Sequence, residues 1–178
     1  MQGDFREHAA MLAVAGATPV LVRRLQDLAD VDVLAIPGGE STTISKLARL
    51  YGLVEPMRER AGIGMPVLGT CAGLIVMARR VEGGGPLLGI LDVTAVRNAY
   101  GRQVDSFETE LDVTDVGRVT GVFIRAPAVE DLGPDVEVLG EHAGRPVVVR
   151  QGNLLAAAFH PEMAGDPRLH ERLLSLAK

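Results

Sequence analysis

The sequence predicts an α/β fold, a mostly parallel central sheet with helices packed on it and a β-rich second half, and three observations predict it. Short β-branched runs alternate with segments of helical period through the first half. Two of those runs, ending at Ile36 and Gly69, pass through glycine-containing turns directly into helical patterns. From Asp92 onward strands and turns dominate.

The 178 residues are 47% hydrophobic and 23% charged, a globular profile with neither a low-complexity tract nor an internal repeat. A chain of this length hides roughly 70% of its unfolded surface in one core. No linker is visible, so residues 1–178 are expected to form a single domain that needs neither disulfides nor a structural metal. The single cysteine, Cys71, points to a reducing compartment such as the cytoplasm. Met1 to His8 lacks a basic n-region and an apolar h-region, and no apolar run approaches the ~18 residues of a membrane span. Net charge is −5, 16 of the 18 basic residues are scattered arginines, and aromatics make up 3%. That composition offers nucleic acid neither a basic stripe nor a stacking platform.

Element by element, Phe5 to Ala15 reads as a helix with Phe5, Ala9, Leu12 and Ala13 on one stripe, ended by Gly16. Pro19 to Val22 reads as a strand. Val31 to Ile36 is a second strand, broken by Pro37-Gly38-Gly39, with Ser41-Thr42-Thr43 as N-cap chemistry for a helix through Leu50. A helix near Val54 to Ala61 precedes the buried strand Pro66 to Gly69, which turns at Thr70-Cys71-Ala72-Gly73 into an apolar helix, Leu74 to Arg80. Gly83 to Pro86 is a loop. Strands follow at Val93 to Val96, Ser106 to Val113, Val119 to Ile124, Val136 to Leu139, Pro146 to Val149 and Leu154 to Phe159. An amphipathic helix, Pro167 to Ala177, closes the chain with Leu169, Leu173, Leu174 and Leu176 for packing.

Gly69-Thr70-Cys71-Ala72-Gly73 has the form of a nucleophile elbow, glycines on either side permitting a tight strand-to-helix turn that lifts the sulfur to the sheet's edge. A helix start also favours thiolate. A small buried hydrophobe is the plainer reading of a lone cysteine. Phe159-His160-Pro161-Glu162 follows an apolar strand, and in extended chain residues two apart point the same way. His160 and Glu162 then lie side by side, the carboxylate taking the Nδ1 proton and Nε2 left free for a thiol. The plainer alternative is a surface histidine and a helix-start charge. His8 and His170 are expected in helices with solvated neighbours and His142 in a polar turn. Gly38-Gly39 after a buried strand leaves N–H groups for an oxyanion, for phosphate, or simply for a turn. Arg97, Arg102 and Arg125, at strand ends or turns, are either carboxylate clamps or solvated charge.

With G-T-C-A-G around Cys71, F-H-P-E around His160 and Glu162, and P-G-G-E-S-T, the chain resembles the class I (triad) glutamine amidotransferases. Gln2-Gly3-Asp4, Arg6-Glu7-His8, Arg97-Asn98, Gly101 to Glu108 (G-R-Q-V-D-S-F-E) and Gly121 to Pro127 (G-V-F-I-R-A-P) narrow the resemblance to the glutaminase subunits of pyridoxal 5′-phosphate synthases. The resemblance implies a flavodoxin-like three-layer sandwich and hydrolysis of L-glutamine to glutamate and ammonia. The ammonia would pass to a (β/α)₈-barrel synthase subunit that makes pyridoxal 5′-phosphate. It implies Cys71 as nucleophile, His160 as general base and acid, Glu162 as its orienting partner, and no cofactor or metal. Glutamine-binding positions fall on Gly39, Glu40, Ser41, Arg97, Ile124 and Arg125, with oxyanion donors at Gly39 and Ala72. Members carry a short apolar strand before Gln-Gly-Asp. Only Met1 stands there in this sequence, so the first strand of the sheet is expected to be missing and the natural polypeptide to begin about ten residues earlier. Two rival readings are another thiol enzyme of the same superfamily and a non-catalytic interaction module. The second usually lacks the thiol or the histidine, and both are present.

Overall fold

The computed structural model describes residues 3–85, 87–97, 99 and 106–177. Its elements run α1 (Phe5–Val14), α2 (Leu25–Ala29), β1 (Leu34–Ile36), α3 (Ser41–Leu50), α4 (Val54–Gly62), β2 (Val67–Thr70), α5 (Ala72–Met77), β3 (Ala78–Val81) and β4 (Leu91–Val96). There follow β5 (Phe107–Val113), β6 (Gly117–Phe123), β7 (Ala128–Glu130), β8 (Glu137–His142), β9 (Arg145–Gln151), β10 (Leu154–Ala157) and α6 (Arg168–Ser175). The central sheet has the order β1-β2-β10-β9-β8. Its first three strands are parallel and its last two antiparallel. Strands β3-β4-β7 and the ribbon β5-β6 form two smaller sheets. The expected α/β sandwich with a β-rich second half is what is found.

Strands β2 and β10 are buried along their whole length, as parallel strands covered on both faces must be. Side chains alternate across a strand, and the end of β2 shows both coverings. A Cβ placed on Gly69 would lie 2.7 Å from the carbonyl carbon of Gly73 in α5, whereas the neighbouring Thr70 hydroxyl bonds His8 in α1. So α5 lies on one face of the sheet and α1 on the other, with α6 beside it through His170. A Cβ on Gly73 would collide with the carbonyl oxygen of Ile36. Helix α5 therefore rests with bare backbone on β1, and the Cys71 turn is as tight as two glycines allow.

Several expectations are corrected. Pro19 to Val22 is not a strand: Val20 and Leu21 are 49% and 42% exposed, and residues 17–23 are irregular. A groove of about 630 Å³ separates this segment from β1, so it has no neighbour to share a ladder with, and an apolar pattern alone does not make a strand. The helix after Cys71 stops at Met77 and not Arg80, because Ala78 to Val81 pairs with β4. At a register shift between Ala78 and Arg80 in this strand, Arg79 and Arg80 both reach Asp92, at 3.1 and 2.8 Å, while Arg80 also donates to Thr94 at 2.9 Å. Short elements α2, β3 and β7 carry too little periodicity to be read from sequence. Helix α3 is capped not by Ser41, Thr42 or Thr43 but by Glu40, whose carboxylate accepts from the N–H groups of Thr42 and Thr43 at 2.8 and 2.7 Å. On α1 the inward stripe is the buried His8 with the partly buried Phe5, Ala9 and Leu12, while Ala13 is exposed. Arg102 and the conspicuous residues from Gly101 to Asp105 lie outside the described residues, as do Pro86 and Asn98.

The close approach of α5 to β1 yields a stability prediction. Gly73→Ala should cost roughly 2 kcal/mol or more, as expected for overpacking against backbone. Gly62→Ala, in α4 with nothing within 4 Å of the new Cβ, should be neutral or mildly stabilising. Urea melts of the two variants check this, and equal midpoints would contradict the packing.

Candidate functional site

Cys71 sits between β2 and α5 at φ 47° and ψ −104°. A non-glycine residue in this region is strained, by about 1–3 kcal/mol in general, and the surrounding structure must hold it there. Its N–H donates to the Ala157 carbonyl at 2.9 Å, and its own carbonyl accepts from Ile75. The elbow is thereby fastened to the end of β10, the strand that leads to His160. Cys71 is buried at 7% exposure, yet a merely space-filling residue has no reason to occupy a strained turn.

His160 leaves the sheet three residues after β10, and its N–H donates to the Val122 carbonyl in β6 at 2.9 Å. Its Nδ1 meets Glu162 Oε1 at 2.8 Å. The predicted pairing is present, but the backbone route differs from the extended chain expected. Pro161 is helical at φ −64° and ψ −32°, and Glu162 opens a short 3₁₀ turn, Glu162–Ala164. Nor is either residue a surface group: His160 is 5% exposed and Glu162 3%. With Nδ1 committed, Nε2 is the ring nitrogen left for the sulfur. Burial opposes the imidazolium, yet hydrogen bonding with Cys71 and Glu162 raises the His160 pKa to about 10. Burial likewise opposes the Glu162 carboxylate, but hydrogen bonds with His160 and His8 hold its pKa down to about 2. Charge on each side is thus stabilised by the other.

Two histidines expected among solvated neighbours are part of this buried array. His8 and His170 are 3% and 0% exposed. His8 Nδ1 is 2.8 Å from His170 Nε2, and His8 Nε2 is 2.9 Å from Thr70 Oγ1 and 3.5 Å from Glu162 Oε1. Helical spacing carried the signal, since His8 lies three after Phe5 and four before Leu12, and His170 adjoins Leu169 and precedes Leu173 by three. Asp4, also missed, brings Oδ2 to 3.3 Å from His160 Nδ1. Asp4, His160 and Glu162 offer atoms within 4.8 Å of one another, the one grouping of metal-ligand type among the described residues. Both carboxylates face His160 Nδ1, which is already engaged by Glu162. His142 ends β8 and packs on the rings of Phe107 and Phe123 at 5.3 and 5.6 Å, not in a polar turn.

The remaining candidates lie just beyond strand ends. Gly38 and Gly39 follow β1, and a Cβ on Gly38 would lie 2.7 Å from His160 Nδ1, so only glycine leaves room for the imidazole. The Gly38 carbonyl accepts from Asp4 N–H at 3.3 Å, which sets the plane of the Gly38–Gly39 peptide, and Gly39 has φ +129°. Ala72 opens α5, where the first N–H groups have no intrahelical acceptor. Ser41 is buried at the start of α3, and Glu40 caps that helix, its pKa brought to about 2 by hydrogen bonds from Thr43 and Thr42. Ile124 and Arg125 follow β6 directly after the strand that accepts from His160, with Arg125 exposed at φ 47°. The register Val96↔Ala128 brings exposed Arg97, at the end of β4, to the same turn.

A profile of the SNO glutamine amidotransferase family matches residues 1–176. The chain is 58% identical to a pyridoxal 5′-phosphate synthase subunit PdxT of Acidothermus cellulolyticus, over 96% of this chain and 87% of that one. It is 53% identical to the PdxT subunit of Streptomyces avermitilis, over 100% of this chain and 91% of that one. A crystal structure of a glutamine amidotransferase superposes with a TM-score of 0.94 at 49% identity, covering 99% of this chain and 95% of the other. The PurLQS structure from Thermotoga maritima, at 19% identity and a TM-score of 0.67, covers 97% of this chain and 92% of that one and shares the fold alone.

The Glu162 environment predicts an acid dependence. A carboxyl whose folded pKa is about 2 against an ordinary 4.5 adds stability above 4.5, and that contribution fades as pH falls from 4.5 toward 2. Glu162→Gln lacks it. Urea midpoints followed over that acid range should therefore fall less steeply in the variant, and parallel curves would count against a paired, ionised Glu162.

Proposed function

The chain belongs to the SNO glutamine amidotransferase family, and from that membership we propose that it hydrolyses L-glutamine to L-glutamate and ammonia through Cys71, His160 and Glu162. The observation that carries the residue assignment is the 2.8 Å His160 Nδ1–Glu162 Oε1 contact, with Cys71 engaged by the same imidazole. The thiol proton passes to His160 Nε2 before the attack, and the Cys71 sulfur then adds to the side-chain carboxamide carbon of glutamine. The carbonyl oxygen becomes an oxyanion, received by the N–H groups of Ala72 and Gly39. His160 returns the proton to the amide nitrogen as the C–N bond breaks, releasing ammonia and leaving a γ-glutamyl thioester. Water deprotonated by His160 then attacks the thioester and frees glutamate and the thiol. Glu162 holds the ring and stabilises the imidazolium throughout.

Arg97 and Arg125 are the cations for the substrate α-carboxylate, with Gly39, Glu40, Ser41 and Ile124 as the other contacts. The named function of the 58% identical relative supports supply of the ammonia to pyridoxal 5′-phosphate synthesis. The recipient is a (β/α)₈-barrel synthase subunit, and no cofactor or metal enters the hydrolysis. In the described residues no helix is long and apolar enough to cross a membrane, and the cytoplasm fits the free thiol.

Assays of glutamine hydrolysis with the synthase subunit added test this reading. Cys71→Ala should abolish turnover while leaving the fold intact. Glu162→Gln should lose less than His160→Ala, since a neutral amide still orients the ring. Turnover should rise when the synthase docks, and wild-type rates in Cys71→Ala would refute the nucleophile.

A further inference from the structure

Glutamine hydrolysis as proposed above uses two of the four buried histidine and glutamate side chains that touch one another beneath the elbow, and the other two are left without a role. We propose that His8 is a positioning residue for that reaction: backed by His170, it presents an N–H that holds the Glu162 carboxylate in the orientation His160 requires. This inference rests on the glutaminase reading for its substrate but not for its geometry.

The proton positions follow from which atoms have partners. His170 Nδ1 has no hydrogen-bond partner among the described residues. A buried N–H without an acceptor is costlier than a bare lone pair, so the proton of neutral His170 belongs on Nε2. Burial lowers the His170 pKa to about 4, which keeps the ring neutral at ordinary pH. Its Nε2–H therefore donates to His8 Nδ1 at 2.8 Å. A His8 ring that accepts at Nδ1 carries its own proton on Nε2, and that N–H is shared between Thr70 Oγ1 at 2.9 Å and Glu162 Oε1 at 3.5 Å. The reverse tautomer would strand a proton on His170 and aim a lone pair at a carboxylate. Both outcomes are unfavourable.

Glu162 has few other restraints. Its Oε2 has no partner among the described residues, so Oε1 alone is held, by His160 on one side and His8 on the other. A second carboxylate, Asp4, waits 3.3 Å from the same His160 Nδ1. If Glu162 loosens, the imidazole can turn toward Asp4 and away from the geometry that serves Cys71. His8 and His170 come from α1 and α6, the helices on the face of the sheet opposite α5, so the far layer of the sandwich sets the aim of the catalytic histidine.

Two amides separate this role from simple packing. His8→Asn reaches the Nδ1 position and retains the His170 contact, but is too short to face Glu162. His8→Gln extends an N–H to where Nε2 stands. Both are combined with wild-type Glu162 and with Glu162→Gln, in the presence of the synthase subunit. The measurements are kcat and KM for glutamine and the rate at which iodoacetamide alkylates Cys71, which needs no glutamine. Groups that orient metal ligands typically cost about 10–100-fold when lost, and a group that orients a catalytic carboxylate is expected to act on the same scale. His8→Asn should lower kcat by about that factor with KM within about twofold, slow alkylation, and be largely rescued by His8→Gln. In the Glu162→Gln background His8→Asn should cost less than about threefold in either readout, because the residue it acts through is already neutralised. Equal fold-losses in both backgrounds, or a raised KM with unchanged kcat, would overturn the proposal. Coupled alkylation effects in a protein that hydrolyses no glutamine would sustain the positioning role and refute the substrate. Glutamine turnover with uncoupled effects would do the reverse.

Discussion

The contact of α5 backbone with β1 is the constraint on which the site depends. Gly73 lies so close to the Ile36 carbonyl oxygen that no side chain fits between them, and a Cβ on Gly69 would lie 2.7 Å from the Gly73 carbonyl carbon. A helix pressed onto the sheet at that distance cannot begin gradually. The chain must turn within one residue after β2, and Cys71 at φ 47° is that residue. Strain at the sulfur-bearing position is thus the consequence of a close-packed layer and is held by it. Because β1, β2 and β10 are parallel and in register, the turns after Ile36, Thr70 and Ala157 emerge together. The paired glycines, the thiol and the imidazole converge for the same reason.

The other face of the sheet solves an electrostatic problem. An ionised carboxylate at 3% exposure is tolerable only if its charge is compensated, and here imidazole groups on two sides do so. The layer formed by α1 and α6 supplies one of them. Catalytic geometry in this fold therefore draws on both outer layers: α5 fixes where the sulfur stands, while α1 and α6 bear on the group that fixes where the imidazole points.

Legibility of these features in the sequence followed their physical origin. The elbow and the His160–Glu162 pair were readable because each lies within five consecutive residues and has a local cause, glycine at a turn or side chains two apart. Even so, the pair is formed by a helical Pro161 and not by extended chain, so the residues were right and the route was not. His8 and His170 look solvated in the sequence because a histidine on an apolar stripe counts as polar in the pattern, although its position at helical spacing puts it inside. Glu40 and not a hydroxyl residue caps α3, since a carboxylate can accept two N–H groups at once. Pro19 to Val22 failed for a reason no local pattern contains: a strand needs a neighbour. Strands β3 and β7 exist through pairing with β4, which is likewise not local. The R-Q-V-D stretch that most narrowed the resemblance lies outside the described residues.

The central claim is that Cys71, activated by His160 and Glu162, is the atom that attacks a glutamine side chain. Intact-mass and peptide mapping of the synthase-bound protein after exposure to a chloroketone analogue of glutamine measures it most directly. The account predicts one covalent adduct per chain, on Cys71, formed only when the electrophile carries the α-amino acid end and suppressed by excess L-glutamine. An adduct on another residue, or labelling of Cys71 that glutamine does not compete and that an electrophile without the amino acid end matches, would contradict it.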